Sequence, residues 1–271
     1  AHSPWWSAWF VLGLAVLVKG PVSVVISGLA LLLFSALRRD IGTVWQRLRP
    51  IRGLLLTALV SFPWYLAELL FEGQAFWDSF FGYHNLQRFT SVVNDHLQPW
   101  WFFGPVMLVA ALPFTPFLLK GLIGVPRSRV EPDQSLQQFA ICWLLAVLIL
   151  FTSAATKLPS YWLPATPASA LLVALATVRR DRLQTVAWWV SLGLTGLLAC
   201  GFWAASLWVP LINDPEMPSL SVDLLASGYL IQAAIWFSVA AVLGLLALVM
   251  RRTAALGLLA MQAPLLLFHL T

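Results

Sequence analysis

The sequence predicts an all-α protein, a polytopic transmembrane bundle of about nine helices, each of about 20 residues. Of the 271 residues, 60% are hydrophobic and only 10% are charged, whereas soluble domains are about 25% charged. The apolar residues also lie in long runs rather than in alternation, which excludes barrel strands. Because lipid offers no hydrogen-bond partner to an open backbone, helices are the expected spanning structure.

Nine apolar segments are candidates for these helices. They are residues 5–18, 21–37, 53–70, 100–119, 138–155, 161–178, 186–209, 225–250 and 253–269. The tryptophan pairs agree with them: Trp100 and Trp101, for example, stand at the end of an apolar run, and indole rings favour the water–lipid boundary. No internal repeat is visible, so we expect residues 1–271 to form a single transmembrane domain. Because the sequence starts at Ala1 without a signal-peptide pattern, we expect the C-terminal part of a longer protein.

Positive charges fall on alternate connections between these spans. All Lys and Arg residues except Lys19, Arg88 and Lys157 lie in residues 38–52, 120–137, 179–185 and 251–252. The other connections, residues 19–20, 71–99, 156–160 and 210–224, hold the three exceptions and most of the acidic residues. The positive-inside bias places the first set in the cytoplasm and the three remaining cations on the outer face.

Two of these cations have similar sequence settings. Lys19 and Lys157 each end an apolar span, and a proline follows each of them two residues later. Proline fits the first turn of a helix, so a helix N-terminus with free N–H groups is expected beside each lysine. The pattern predicts an anion site at membrane depth, since intramembrane cations usually face a ligand or a pathway. The alternative is that both lysines snorkel to the phosphates of membrane lipids.

The longest outer connection, residues 71–99, carries further candidates. Its many aromatic residues predict a helix that lies in the membrane interface. On such a helix His84 and Arg88 share a face, and the planar guanidinium of Arg88 suits a phosphate. His84 and His96 are either structural residues or members of a substrate site.

Other kinds of site find no support in the sequence. Cys142 and Cys200 lie within apolar runs and are interpreted as packing residues rather than a disulfide or a metal pair. No Cys/His cluster, Gly-rich phosphate loop or nucleophile elbow is present, so neither nucleotide chemistry nor nucleic-acid binding is expected.

Four segments, in this order, resemble a known family. They are LVKGP (17–21), HNLQRF (84–89), HLQPWWFF (96–103) and KLPSYWLPATPASALL (157–172). They are similar to segments of the polyprenyl-phosphate-sugar glycosyltransferases of the GT-C fold, which include the lipid A aminoarabinose transferases and, more distantly, the protein O-mannosyltransferases. The resemblance covers residues 14–172, and beyond them only the helix pattern agrees.

The resemblance implies a function on the outer face of the bacterial inner membrane. The protein would move a sugar from a polyprenyl-phosphate donor to a lipid, glycan or protein acceptor, without a nucleotide. Lys19, Arg88 and Lys157 would bind the donor phosphate, which gains negative charge in the transition state. His84, Tyr161 and His96 would line the substrate pocket, and His84 is also the candidate ligand if a divalent metal takes part.

The catalytic base cannot be assigned within this chain. In the family it is an acidic residue of the first outer loop, which would precede Ala1, so we expect an N-terminally truncated segment that is inactive alone. Two other functions remain open: a transporter or flippase for a lipid-linked anion, to which broken helices are also suited, and a non-catalytic scaffold. Inverted repeats, which are common in transporters, are not seen.

Overall fold

The computed structural model describes residues 5–39, 41–91, 98–123, 132–178, 181–213 and 217–249; for residues 84–86, 88 and 132–134 it describes the backbone alone. Helices dominate these ranges, and no extended strand occurs within them. The α-helices are α1 (Trp5–Lys19), α2 (Val22–Arg38), α3 (Ile41–Leu48), α4 (Pro50–Glu72), α5 (Gln74–Phe76), α6 (Arg88–Thr90), α7 (Phe103–Ala110), α8 (Thr115–Leu122), α9 (Pro132–Ser153), α10 (Thr166–Val178), α11 (Arg182–Trp203), α12 (Ala205–Trp208), α13 (Leu220–Ala226) and α14 (Tyr229–Val249). A π-type helix (Trp77–Gln87) and two 3₁₀ helices (Pro159–Ala165 and Val209–Leu211) complete them.

The all-α, polytopic membrane fold is confirmed. Five described helices are long and apolar enough to cross a membrane: α4, α9, the helix Pro159–Val178, α11 and α14. Helices α1 and α2 are shorter apolar helices at two further predicted spans. The predicted span 253–269 lies outside the described residues.

One predicted span is broken. Hydropathy predicts a single helix over residues 100–119, but the structure has two short helices, α7 and α8. Pro113 lies between the two helices and Pro116 lies in the first turn of α8. A proline inside a helix removes a hydrogen bond and clashes with the preceding turn, so one continuous helix cannot pass through Pro113 undisturbed. Hydropathy alone does not register this interruption, since the prolines are surrounded by apolar residues.

The chain divides into two compact units. Unit 1 contains Ala1–Ala110 and Gly121–Leu175, and unit 2 contains Ala111–Lys120 and Ala176–Thr271. The expectation of a single transmembrane domain over residues 1–271 stays a prediction.

In unit 1, α1 and α4 pack side by side and run in the same direction, with small residues at their contact. Thr57 in α4 donates a hydrogen bond to the carbonyl of Trp9 in α1 (2.9 Å), and further along α4 Tyr65 donates to the carbonyl of Val16 (2.6 Å). A Cβ added at Gly13 would lie 2.7 Å from the Cβ of Val60. The two backbones therefore approach closely, as small residues allow in membrane helices.

Helices α2 and α9 form an antiparallel pair in unit 1. The ring of Phe34 meets that of Phe139 edge-on at 5.6 Å, and Arg38 donates to the hydroxyl of Ser135. Nearer the start of α2, Ile26 belongs to the same buried cluster as Val147 of α9. The start of α2 therefore lies at the end of α9.

The pairing of these helices places their ends in two groups, at opposite ends of unit 1. We call the end with Lys19, the segment Phe89–Ser91 and Lys157 the lysine end. The opposite end, which carries Arg38, α3 and the start of α4, is the arginine end. Within unit 1 the helices thus keep all the described arginines of residues 38–52 together.

In unit 2, α11 packs along α14, where the rings of Phe202 and Phe237 stack at 5.4 Å. Lys120, which is only 8% exposed, pairs with Asp181 at 3.0 Å and donates to the carbonyl of Ala176 in the last turn of α10 (2.9 Å). Asp181 also caps α11 by accepting from the backbone N–H of Gln184. Lys120 thus stabilises a helix C-terminus and a turn, in agreement with the preference of cations for the last turn.

Candidate substrate site

Lys157 is buried in the connection between α9 and the 3₁₀ helix Pro159–Ala165. It is 8% exposed, and its neighbours Ala154 and Thr156 are 3% and 1% exposed. Its Nζ donates to the carbonyl of Ala154 at 2.9 Å. An ammonium has three N–H donors, and no carboxylate pairs with it within the part of the chain that the structure describes.

The long predicted outer loop is tied to this connection by two hydrogen bonds. The backbone N–H of Ala155 donates to the carbonyl of Phe89 at 3.0 Å. The hydroxyl of Thr156 donates to the carbonyl of Ser91 at 2.9 Å. Since Arg88 directly precedes Phe89, the backbone of Arg88 lies close to the segment that holds Lys157.

The loop itself is helical over its first part. Residues Gln74–Thr90 form consecutive helices of α and π type, which agrees with a helix in the loop; the location of that helix in the membrane interface stays a prediction. The aromatic rings of this helix pack on α4: Tyr65 lies 5.5 Å from Phe80 and 5.8 Å from Phe81, centroid to centroid. This packing places the helix at the lysine end.

Lys19 reaches the same end by a different local structure. It is the last residue of α1, and Gly20, with φ of 75°, reverses the chain so that Pro21 precedes α2. Glycine suits this backbone conformation because it has no Cβ. Unlike Lys157, Lys19 is exposed. Among the described residues no hydrogen bond or ion pair joins it to the Lys157 segment.

The two lysines therefore differ in environment, although their sequence settings are similar. Their helix starts differ too. Helix α2 begins directly after Pro21, but Lys157 is followed by the 3₁₀ helix Pro159–Ala165, and α10 starts only at Thr166. Pro159 and Pro164 both lie in this tighter helix. The expectation of an α-helix from residue 161 is wrong in this detail.

Tyr161 is half-buried and its ring stacks on that of Phe151 at 4.8 Å. It thus lies at the lysine end, and its role in the substrate pocket stays a prediction. The side chains of His84 and Arg88 and the whole of His96 lie outside the described residues. The described part holds no group of three His, Cys, Asp or Glu residues that could bind a metal.

Two further residues, Thr156 and Glu68, lie at this end and were not predicted as site residues. Thr156, which fastens the loop to the Lys157 segment, has no distinctive sequence pattern. Glu68 does have one: it is an acidic residue within the predicted span 53–70, and intramembrane carboxylates are usually functional. It lies in α4, half-buried and close to the position where Tyr65 meets α1.

Comparison with known proteins points to one class of enzyme. No family model matches the chain. It is 29% identical over 248 residues, 84% of its length, to undecaprenyl phosphate-alpha-4-amino-4-deoxy-L-arabinose arabinosyl transferase 1 of Sodalis glossinidius. It is 33% identical over 199 residues, 71% of its length, to the transferase of that name from Pseudomonas aeruginosa. The chain spans 42% and 34% of these two relatives.

Two solved structures share the fold of the chain. The crystal structure of ArnT from Cupriavidus metallidurans bound to undecaprenyl phosphate matches 96% of the chain with a TM-score of 0.74 at 24% sequence identity, and the chain covers 45% of it. The apo structure of that protein matches with a TM-score of 0.71. The chain is therefore related, in sequence and in its membrane-spanning helical fold, to the GT-C glycosyltransferases that use sugars linked to polyprenyl phosphate.

Proposed function

We propose that the whole protein is a membrane glycosyltransferase that moves aminoarabinose, or a similar sugar, from undecaprenyl phosphate to an acceptor such as lipid A. The proposed identities of the donor and the sugar are supported by the names of the relatives. We further propose that the reaction takes place on the outer face of the bacterial inner membrane, because the positive-inside bias puts the arginine end in the cytoplasm. The relatives favour this function over a transporter.

The observation that carries the proposal is the buried charge of Lys157. Its Nζ makes one hydrogen bond, to the carbonyl of Ala154, and the described residues offer it no negative partner. A buried charge without a partner is costly, so a phosphate of the substrate would stabilise it. Arg88, whose backbone is held near Lys157 through the Phe89–Ala155 bond, would contribute a second cation.

In the proposed reaction an acceptor oxygen attacks the anomeric carbon of the sugar, and the bond from that carbon to the phosphate oxygen breaks. The electron pair of the broken bond stays with the phosphate, and a general base takes the acceptor proton. Lys157, Arg88 and Lys19 would stabilise the growing charge on the leaving phosphate. Preorganised donors of this kind contribute about 3 kcal/mol each. His84, Tyr161 and His96 remain the proposed pocket residues, and His84 the candidate metal ligand.

The experiment compares Lys157→Met with Lys157→Arg in the full-length protein. Transfer from undecaprenyl-phosphate-linked aminoarabinose to lipid A is followed by mass spectrometry. Lys157→Met removes the charge and keeps the length of the side chain, and we expect turnover to fall about a hundredfold or more. Lys157→Arg keeps a cation and should lose less. Arg182→Gln, which removes an exposed charge in unit 2, is the control and should behave as the wild type.

Normal turnover of Lys157→Met, at a melting temperature equal to that of the wild type, would contradict the assignment of Lys157. Proteoliposomes separate transfer from transport. If the protein moved the intact lipid-linked sugar across the bilayer without transferring it to the acceptor, the transporter would be the correct function.

A further inference from the structure

Helix α3, at the arginine end of unit 1, presents an uncovered apolar face. Its apolar residues Ile41, Val44, Trp45 and Leu48 follow the spacing of one helix face. None of its residues is buried, and the side chains of Ile41 and Trp45 are 61% and 57% exposed. A short helix with this pattern, next to a membrane span, is suited to the boundary between headgroups and acyl chains.

The position of α3 is fixed by contacts at its C-terminal end. The indole N–H of Trp9 in α1 donates to the carbonyl of Leu48 at 2.8 Å. Trp9 lies directly over Gly53 of α4, where an added Cβ would come within 2.0 Å of the indole ring. The turn from α3 into α4 is therefore held against α1.

This turn contains a cavity of about 440 Å³ that is open to the surface. It is lined by Trp45, Gln46, Arg49, Pro50, Ile51 and Arg52.

Both arginines of this cavity are exposed. The guanidinium of Arg49 lies over the ring of Trp5, 5.8 Å from its centroid. Within the described ranges of the chain, no acidic group pairs with Arg49 or Arg52.

We propose that this cavity binds the phosphate headgroup of an anionic phospholipid, with α3 lying in the membrane interface beside it. Arg49 and Arg52 supply two guanidinium groups, whose planar geometry suits phosphate oxygens. The apolar face of α3 decides between a lipid and a free phosphate, because Ile41 and Trp45 need acyl chains to cover them. Basic residues beside an interfacial helix recognise anionic headgroups in this way. The proposal is independent of the sugar-transfer function.

The test uses native mass spectrometry of the full-length protein in detergent, after removal of bound lipid. The protein is titrated with phosphatidylglycerol, which is anionic, and with phosphatidylcholine, which is not. We expect selective retention of phosphatidylglycerol by the wild type. Each arginine near a headgroup is worth about fivefold in affinity, so Arg49→Gln with Arg52→Gln should bind phosphatidylglycerol about 25-fold more weakly.

Arg47→Gln is the control for each single arginine change: it also removes one positive charge, from α3, at a position that does not line the cavity. It should change the affinity less than twofold. An equal loss in Arg47→Gln and in Arg52→Gln would show diffuse electrostatic attraction and overturn the proposed site, as would equal retention of the two lipids. If the double variant does not fold, Arg52→Gln alone, with an expected fivefold loss, decides the question.

Discussion

The hydroxyl of Thr156 donates a hydrogen bond to the backbone carbonyl of Ser91, 2.9 Å away and 65 residues earlier in the chain. Together with the bond from Ala155 to Phe89, it fastens the long loop to the connection that buries Lys157. Although the two segments are far apart in sequence, these two hydrogen bonds hold the backbone of Arg88 close to the segment that contains Lys157.

We expect Thr156→Val to impair binding of the lipid-linked donor in the proposed transfer, with only a small loss of folding stability. Valine keeps the shape of threonine but cannot donate to Ser91, and one such bond is worth about 1 kcal/mol of stability. The loop would then hold Arg88 less firmly, and the Michaelis constant for the lipid-linked donor should rise. Ser91→Ala is the control, because the hydroxyl of Ser91 bonds to the carbonyl of Gln87 instead. Equal donor kinetics in the two variants would refute the role of Thr156.

Removing the two other proposed phosphate ligands tests the remainder of the site. We expect Lys19→Ala combined with Arg88→Ala to lower turnover in the full-length protein about a hundredfold or more, since each would have stabilised the leaving phosphate. The single variants Lys19→Ala and Arg88→Ala show how much of the loss in turnover is due to each residue. Because the side chain of Lys19 is exposed, it is less firmly preorganised than the buried Lys157, and its share should be the smaller one. Wild-type turnover of the double variant would exclude both residues from the site.

A substitution in the turn between α1 and α2 should lower the stability of the protein, although the turn has no proposed chemical role. Gly20 has a φ of 75°, and a residue with a Cβ pays about 1–2 kcal/mol in the left-handed conformation. Gly20→Ala should therefore lower the melting temperature in detergent.

Gly28→Ala is the control for that variant. Gly28 lies within α2, and an added Cβ has nothing within 4 Å. Alanine is favoured over glycine in a helix by up to about 1 kcal/mol, so this change should leave the melting temperature equal or higher. A higher melting temperature for Gly20→Ala than for Gly28→Ala would contradict the assigned backbone conformation.

The contact between Trp9 and Gly53 predicts a larger destabilisation. An alanine Cβ at position 53 would lie 2.0 Å from Cε2 of Trp9, so the helices or the indole must move. Overpacking of this kind costs about 1–3 kcal/mol. In the same region, Gly42→Ala adds a Cβ where nothing lies within 4 Å and should be tolerated. Melting temperatures of the two variants in detergent check this, and equal values would disprove the close packing of α1 on α4.

The contact between Trp9 and Gly53 also supports the proposed phospholipid site. Because Trp9 holds the turn that carries Arg49 and Arg52, Gly53→Ala should also reduce retention of phosphatidylglycerol. Gly42→Ala, in α3 itself, should not.

The membrane character and most of the helices were predictable from the sequence. The predicted spans 5–18 and 21–37 correspond to α1 and α2 within one residue at each end. The reason is that the transfer of each apolar side chain into lipid depends mainly on that side chain, so a window of sequence suffices. The break between α7 and α8 was missed because hydropathy does not weigh the backbone effect of Pro113.

The sequence was sufficient to predict which residues belong to the candidate site, but not how these residues are arranged in space. The sequence by itself determined that Lys19 and Lys157 follow apolar spans on the same side of the bundle, because charge and hydropathy are local properties. The tertiary structure alone decided that Lys157 is buried while Lys19 is exposed. Burial depends on which distant segments pack together. Here the backbone carbonyls of Phe89 and Ser91 accept hydrogen bonds from the Lys157 connection, and no local pattern encodes these bonds.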